Sequence, residues 1–382
     1  MQTRLRVAGL FAGIGGIELG LHHGGHRTEL LCEVEPAARR VLRARFPDIE
    51  TTKDIRELPA LPEVDLVAAG FPCQDLSQAG KTAGIRGSRS GLVDEVFRLL
   101  DHADPTWLLL ENVPFMLALD RGRGMRHLVD ALEDRGFTWA YRVVDALAFG
   151  LPQRRRRVLL LASRREDPRG VLFAQDAGEP TRPARPGVAC GFFWTEGERG
   201  LGWAVDAVPT LKGGSAVGIP SPPAIWIPAD GSIITPDIRD AERLQGFRAG
   251  WTAPAMTSGS KRGVRWKLVG NAVSVPVSRW LGEQLADPGT HDGRSDMVLS
   301  GTAWPPAAWG HGGKAHRVDV SMWPVRGRRR HLLEFLKYPT TPLSARAAEG
   351  FLRRAEMGNL RFTPGFLEDV AAHAERLRTA VA

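Results

Sequence analysis

Short apolar runs alternate with amphipathic stretches through the first 165 residues of the chain. The runs Leu5–Leu10, Leu30–Glu33, Val64–Ala69, Trp107–Glu111, Ala140–Asp145 and Val158–Ala162 have the length and bounding residues of strands. The stretches Ile17–His23, Pro36–Arg45, Leu92–His102 and Met125–Arg135 have helical spacing, with Pro36 suited to a first helical turn. Strands and helices taking turns predict an α/β fold, a doubly wound and mostly parallel sheet with helices on both faces. In such sheets ligands bind beyond the carboxyl ends of the strands.

The pattern changes after residue 165. Residues 166–235 are rich in Pro, Gly and Trp and have little helical period, which predicts a small, loop-rich, partly β domain. Helical character returns over 236–285, and the polar, Gly-containing stretch 287–300 reads as a linker. The expected division is a catalytic domain of residues 1–165 plus 263–286, a recognition domain over 166–262, and a C-terminal extension over 287–382. The extension carries Trp304, Trp309, Trp323, the basic run Arg326–Arg330 and two predicted helices, one capped by Ser344 and one opened by Thr363 and Pro364.

Composition narrows the function. The net charge is +8, which suits a polyanion such as nucleic acid but also an ordinary Arg-rich surface. No run of apolar residues is long enough to span a membrane, and no signal peptide is read at Met1–Gly9. Cys32, Cys73 and Cys190 are too few and scattered for a disulfide framework or a zinc site, so a reducing, cytoplasmic setting is expected and no metal.

Candidate chemistry gathers at the strand ends. The first strand runs into Phe11-Ala12-Gly13-Ile14-Gly15-Gly16, where glycines let the backbone turn sharply and approach a ligand. Glu18 stands where the dinucleotide fingerprint has glycine, so that motif is absent. Glu33 and Asp54 end the next two strands, an arrangement that fits a nucleoside pocket, although either carboxylate alone also fits a helix cap. Gly70-Phe71-Pro72-Cys73-Gln74 follows the Val64–Ala69 run, which puts Cys73 at the carboxyl edge of the sheet, followed by a polar, Gly-containing stretch. A cysteine there can be an activated nucleophile, whereas free cysteines are more often small buried hydrophobes. Glu111-Asn112-Val113 ends the next strand at the same edge. In Gln153-Arg154-Arg155-Arg156-Arg157, extended alternation points Arg155 and Arg157 to one side.

These segments, with Arg243-Leu244-Gln245-Gly246-Phe247 and Gly270-Asn271-Ala272-Val273, resemble in order the motifs of the DNA cytosine-5 methyltransferase family over about three quarters of the chain. The resemblance implies the S-adenosylmethionine-dependent methyltransferase fold. It implies that Phe11, Gly13, Ile14, Gly15, Glu33, Asp54, Ile55, Pro72, Leu92 and Asn271 line the S-adenosylmethionine pocket. It implies Cys73 as nucleophile, Glu111 at N3 and the exocyclic amine of cytosine, and Arg157 supported by Arg155 at the base O2. Gln74, Ser77, Thr210 and Leu211 are the implied DNA contacts. One departure stands out: the family often has an acidic or small polar residue where this chain has Gly9.

The expected substrate is double-stranded DNA, and the expected protein is a monomer, with a restriction endonuclease as a companion. Two alternatives stay open. One branch of the family methylates tRNA, though the Cys-Phe-Thr tripeptide that marks it is missing from the variable region. The other alternative is a silent DNA-binding relative, which intact Cys73, Glu111 and Arg157 disfavour. Arg326–Arg330 reads either as an added DNA contact, a partner site, or a solvated face beside a small core.

Overall fold

The run Leu66–Ala69 has no polar side chain, and all four residues are buried. A strand of that kind must be covered on both faces, and it lies inside its sheet, paired on both sides. The structure, a computed structural model, describes residues 4–72, 91–181, 187–194, 201–213, 221–261, 263–358 and 360–379. The chain divides into two units. One comprises Met1–Ala148, Arg156–Glu179 and Ala272–Arg326; the other comprises Phe149–Arg155, Pro180–Asn271 and Gly327–Ala382.

The first unit is built on β1 (Arg6–Leu10), β2 (Arg27–Cys32), β3 (Glu50–Thr52), β4 (Leu66–Ala69), β5 (Trp107–Asn112), β6 (Thr138–Asp145) and, after the short β7 (Gln153–Arg154) of the other unit, β8 (Arg156–Ser163). Strands β3, β2, β1, β4 and β5 are neighbours in that order and all parallel. β8 then runs antiparallel between β5 and β6. Ala8 and Leu10 of β1 share one apolar cluster with Val67 and Ala69 of β4 and with the helices Leu92–Leu100 and Arg123–Glu133. The opposite face is covered by α1 (Gly16–His23), which packs on the helix Val275–Ala286. Helices on both faces are the doubly wound arrangement expected.

The C-terminal extension is not one separate body, contrary to the division drawn from composition. Ala307–His311 pairs antiparallel with β6, and Lys314–Arg317 and Met297–Val298 continue the same sheet. Segment 287–300 is therefore tied down rather than a free linker: Asp296 accepts from His291 and from the Trp309 indole at 2.7 Å. Trp304 packs edge-on against Trp139 and Tyr141, so it belongs to a core. The second unit has a five-stranded sheet of Gly202–Val205, Cys190–Phe193, Ala224–Ile227, Ser232–Thr235 and Thr341–Pro342. Helices Ala345–Met357 and Phe366–Thr379 supply Phe351 and Phe366, whose rings lie 4.6 and 5.0 Å from Phe192. Ser344 caps the first of these helices, as its sequence predicts.

Candidate active site

β1 ends in a turn that only some residues tolerate. Phe11, Gly13 and Gly15 all take positive φ, at 55°, 58° and 83°. At Gly15 a side chain is also excluded sterically, because a Cβ there would meet the Phe46 ring at 2.4 Å. The turn is fixed from the next strand. Gly13 N–H donates to Glu33 Oε2 at 2.7 Å, and Glu35 N–H donates to Glu33 Oε1 at 2.7 Å. Burial raises the Glu33 carboxyl above its ordinary value, while the backbone donors of Glu35 and Gly13 pull it down. Each of its oxygens keeps a lone pair free for a further donor. Asp54 caps the short turn Ile55–Glu57 and pairs with Arg56 at 2.6 Å, which holds its carboxyl below the usual range. Ile55 is buried in the apolar cluster against which Phe11 and Leu92 are half-buried. Ile14 is buried. A Gly-rich turn, a carboxylate with spare acceptor capacity and three apolar side chains at one cluster fit a nucleoside.

The β4–β5 register sets Ala69 beside Leu110, so Gly70 follows next to Glu111. A Cβ on Gly70 would lie 3.3 Å from Glu111 Oε2. Asn112 Nδ2 donates to the Phe71 carbonyl at 2.9 Å, and its Oδ1 accepts from Val113 N–H. This buried amide holds the segment leading into Cys73 against the end of β5. Phe71 is buried and Pro72 exposed. Cys73, Gln74 and Ser77 lie outside the described residues. From β8, Arg157 Nε lies 2.9 Å from Glu111 Oε1, both side chains nearly buried. Along the Arg run, Arg154 is exposed, Arg155 buried, and Arg156 and Arg157 half-buried, so burial does not follow the simple alternation of an extended strand. Arg156 reaches Asp145 instead, at 3.5 Å.

The second unit gathers the remaining motifs. Gln153 Nε2 donates to the Leu244 carbonyl at 2.8 Å, and its Oε1 accepts from Leu211 N–H at 3.1 Å. Gln245 Nε2 donates to the Val269 carbonyl at 2.9 Å. Both amides are fully buried. They therefore fasten together four distant segments, around Gln153, Leu211, Leu244–Gln245 and Val269, a role not assigned to them from sequence. Asn271 is exposed at the end of Val264–Asn271. Thr210 is half-buried, its hydroxyl donating to the Arg154 carbonyl at 2.9 Å. Leu211 departs from expectation. It is 2% exposed in a cluster with Val208, Ile225 and Leu244, so its side chain serves packing.

A family model described as C-5 cytosine-specific DNA methylase matches residues 5–182. Type II methyltransferase M2.BsuMI of Bacillus subtilis (strain 168) is 52% identical over 384 residues, covering 97% of this chain and 99% of that protein. Type II methyltransferase M.BanI of Aneurinibacillus aneurinilyticus is 36% identical over 164 residues, 41% of this chain and 38% of that protein. The crystal structure of S. pombe Dnmt2 methyltransferase superposes with a TM-score of 0.53 at 17% identity, covering 74% of this chain and 98% of that one, a likeness of fold alone. Identity above one half across essentially two whole chains leaves one assignment: the chain belongs to the C-5 cytosine-specific DNA methylase family.

Proposed function

We propose that the protein is a type II modification enzyme that methylates carbon 5 of a cytosine flipped out of duplex DNA, through a covalent bond from Cys73 to carbon 6. The observation that carries this reading is the Glu111–Arg157 pair beside the Phe71–Pro72 segment that leads into Cys73. An acid and a guanidinium together at the carboxyl edge of a parallel sheet suit a polar heterocycle with donors and acceptors on its rim.

S-Adenosylmethionine, the family's cofactor, supplies an electrophilic methyl group when bound. Gly13, Gly15 and Glu33 suit its ribose, and Phe11, Ile55 and Leu92 suit the faces of its adenine; Asp54, Ile14, Pro72 and Asn271 complete the proposed set. Cytosine carbon 5 is too weak a nucleophile to accept a methyl group unaided. The Cys73 thiolate adds to carbon 6, forming a C–S bond and moving the ring's electron pair to carbon 5. Glu111 holds a proton at ring N3 and accepts from the exocyclic amine, so the ring takes up this density without a full negative charge. Arg157, with Arg155 as the supporting residue, donates to the base O2 as density develops there. Once carbon 5 carries the methyl group it loses its proton to a base, the C5–C6 double bond re-forms, and the thiolate leaves. Flipping the base costs a few kcal/mol, which contacts from Gln74 and Ser77 offset in part. Thr210 and the exposed parts of the second unit are the proposed readers of sequence.

Bisulfite sequencing of DNA from cells expressing the chain tests this directly. Conversion-resistant cytosines within one short motif, absent with Cys73→Ser, are expected. Their absence, together with tritium transfer from labelled cofactor to tRNA only, would overturn it. A companion restriction endonuclease predicts that the same motif becomes resistant to one nuclease encoded nearby.

A further inference from the structure

Glu18 is a buried acid that nothing above employs. It sits in the first turn of α1 and is 1% exposed. Neither of its carboxyl oxygens has a hydrogen-bond partner among the described residues. Buried polar atoms are nearly always satisfied, so an orphaned pair calls for an occupant. The carboxyl points at β1: a Cβ on Gly9 would lie 2.1 Å from Glu18 Oε1 and 2.9 Å from its Cδ. Only a glycine at position 9 leaves room for it. Gly9 is thus the place where the acid of α1 meets the strand that runs into Phe11–Gly16, and the departure noted there is filled rather than empty.

Glu33 stands on the other side of this turn, and its charge is felt at Glu18. The two acids differ in one respect. Glu33 is satisfied by the N–H groups of Gly13 and Glu35, whereas among the described residues no donor of another residue reaches the Glu18 carboxyl, and only its own backbone N–H acts on it. The helix Val275–Ala286 meets α1 at Gly20 through the neutral Ser278. No described cation therefore answers Glu18, and an external one fits. The cofactor of this family carries an ammonium on its methionine portion, with three donors and no acceptor.

We propose that Glu18, admitted by Gly9, is a cofactor-binding residue whose carboxylate receives the α-ammonium of S-adenosylmethionine. This rests on Phe11–Gly16 being the cofactor turn. In the free protein burial pushes the carboxyl up to about 7. Binding the ammonium requires the ionised form, so below that pH each binding event releases the Glu18 proton to solvent.

Calorimetric titration of the full chain with S-adenosylmethionine, S-adenosylhomocysteine and 5′-methylthioadenosine decides the matter, because the third lacks the amino acid portion. Glu18→Gln is expected to weaken the first two by about tenfold or more, as for loss of a charged hydrogen bond, and to leave the third unchanged. Wild-type affinity for S-adenosylhomocysteine should fall between about pH 7.5 and about pH 5.5, with proton release, and this dependence should vanish in Glu18→Gln. Unchanged binding of all three by Glu18→Gln overturns the proposal. If the variant does not fold, a flat wild-type pH series does the same. Glu33→Ala separates the two levels: loss of binding for all three ligands keeps the turn as cofactor site whatever Glu18 does, and no loss for any removes that site itself.

Discussion

Three carboxylates, Glu33, Glu111 and Glu18, show how much single side chains do around the edge of this sheet. Glu33 gives one oxygen to the Gly13 N–H of the Gly-rich turn and the other to the Glu35 N–H, so removing it harms both the turn and the ligand. Glu111 faces Arg157 at 2.9 Å, and Arg157→Ala strands a nearly buried carboxylate. We expect Arg157→Ala and Glu111→Gln each to lower kcat/KM by roughly 10²-fold or more, with binding of S-adenosylhomocysteine within about twofold of wild type; steady-state kinetics and calorimetry check this. Glu18 has a separate signature in stability. Its carboxyl rises from 4.5 to about 7 on folding. A raised acid contributes fully below the unfolded value and loses its contribution as pH climbs through the folded one. Glu18→Gln without cofactor should therefore melt above wild type at about pH 8, by up to ~3 kcal/mol, and alongside it at about pH 4.5. Thermal melts at the two pH values read the difference, and equal melting at the higher pH would contradict it.

The motifs of the second unit are joined by side-chain amides buried in a core. Gln153 reaches both Leu244 and Leu211, and Gln245 reaches Val269. Gln245→Leu leaves the Val269 carbonyl without this donor in a buried setting, and about 1–3 kcal/mol of stability should be lost, seen as a lower urea midpoint. Strands β1, β4, β5 and β8 were legible because strands buried on both faces are written as continuous apolar runs. Pro36–Arg45 was legible to the residue, since Pro at a first turn and Phe46 at its end bound an amphipathic run. The strands Ala307–His311 and Lys314–Arg317 were not. Their residues are small, aromatic and basic, with Gly310 inside, and only pairing of the first with β6 and of the second with the first makes them strands. The burial of Leu211 was not legible for a similar reason: a motif names a position, but its neighbours in space decide whether it faces solvent. The orphaned Glu18 could be seen only once Gly9 and α1 were brought together.

Over the whole chain the charge of +8 gains a meaning that composition alone left open. A member of this family must hold a polyanion, and cations that displace counterions from phosphates do so in a salt-dependent way. Duplex affinity should fall by roughly 10³-fold between about 50 and about 200 mM salt, if about six phosphates are neutralised; fluorescence anisotropy across that range gives the slope. Part of this charge is already internal. Arg142 is fully buried against Asp176, and Arg329 pairs with Asp206 within the basic run Arg326–Arg330. That run is therefore partly structural. No described helix is long and apolar enough to cross a membrane. What the remaining basic surface serves depends on whether one thiol reaches a cytosine. Duplex DNA carrying 5-fluorocytosine in the methylated motif blocks the final proton loss and traps the enzyme. Incubated with S-adenosylmethionine, the wild-type chain should form a denaturation-resistant complex, and peptide mapping should place the bond on Cys73. Full methylation activity on ordinary DNA with no such complex, or a bond at Cys32 or Cys190, would contradict the mechanism.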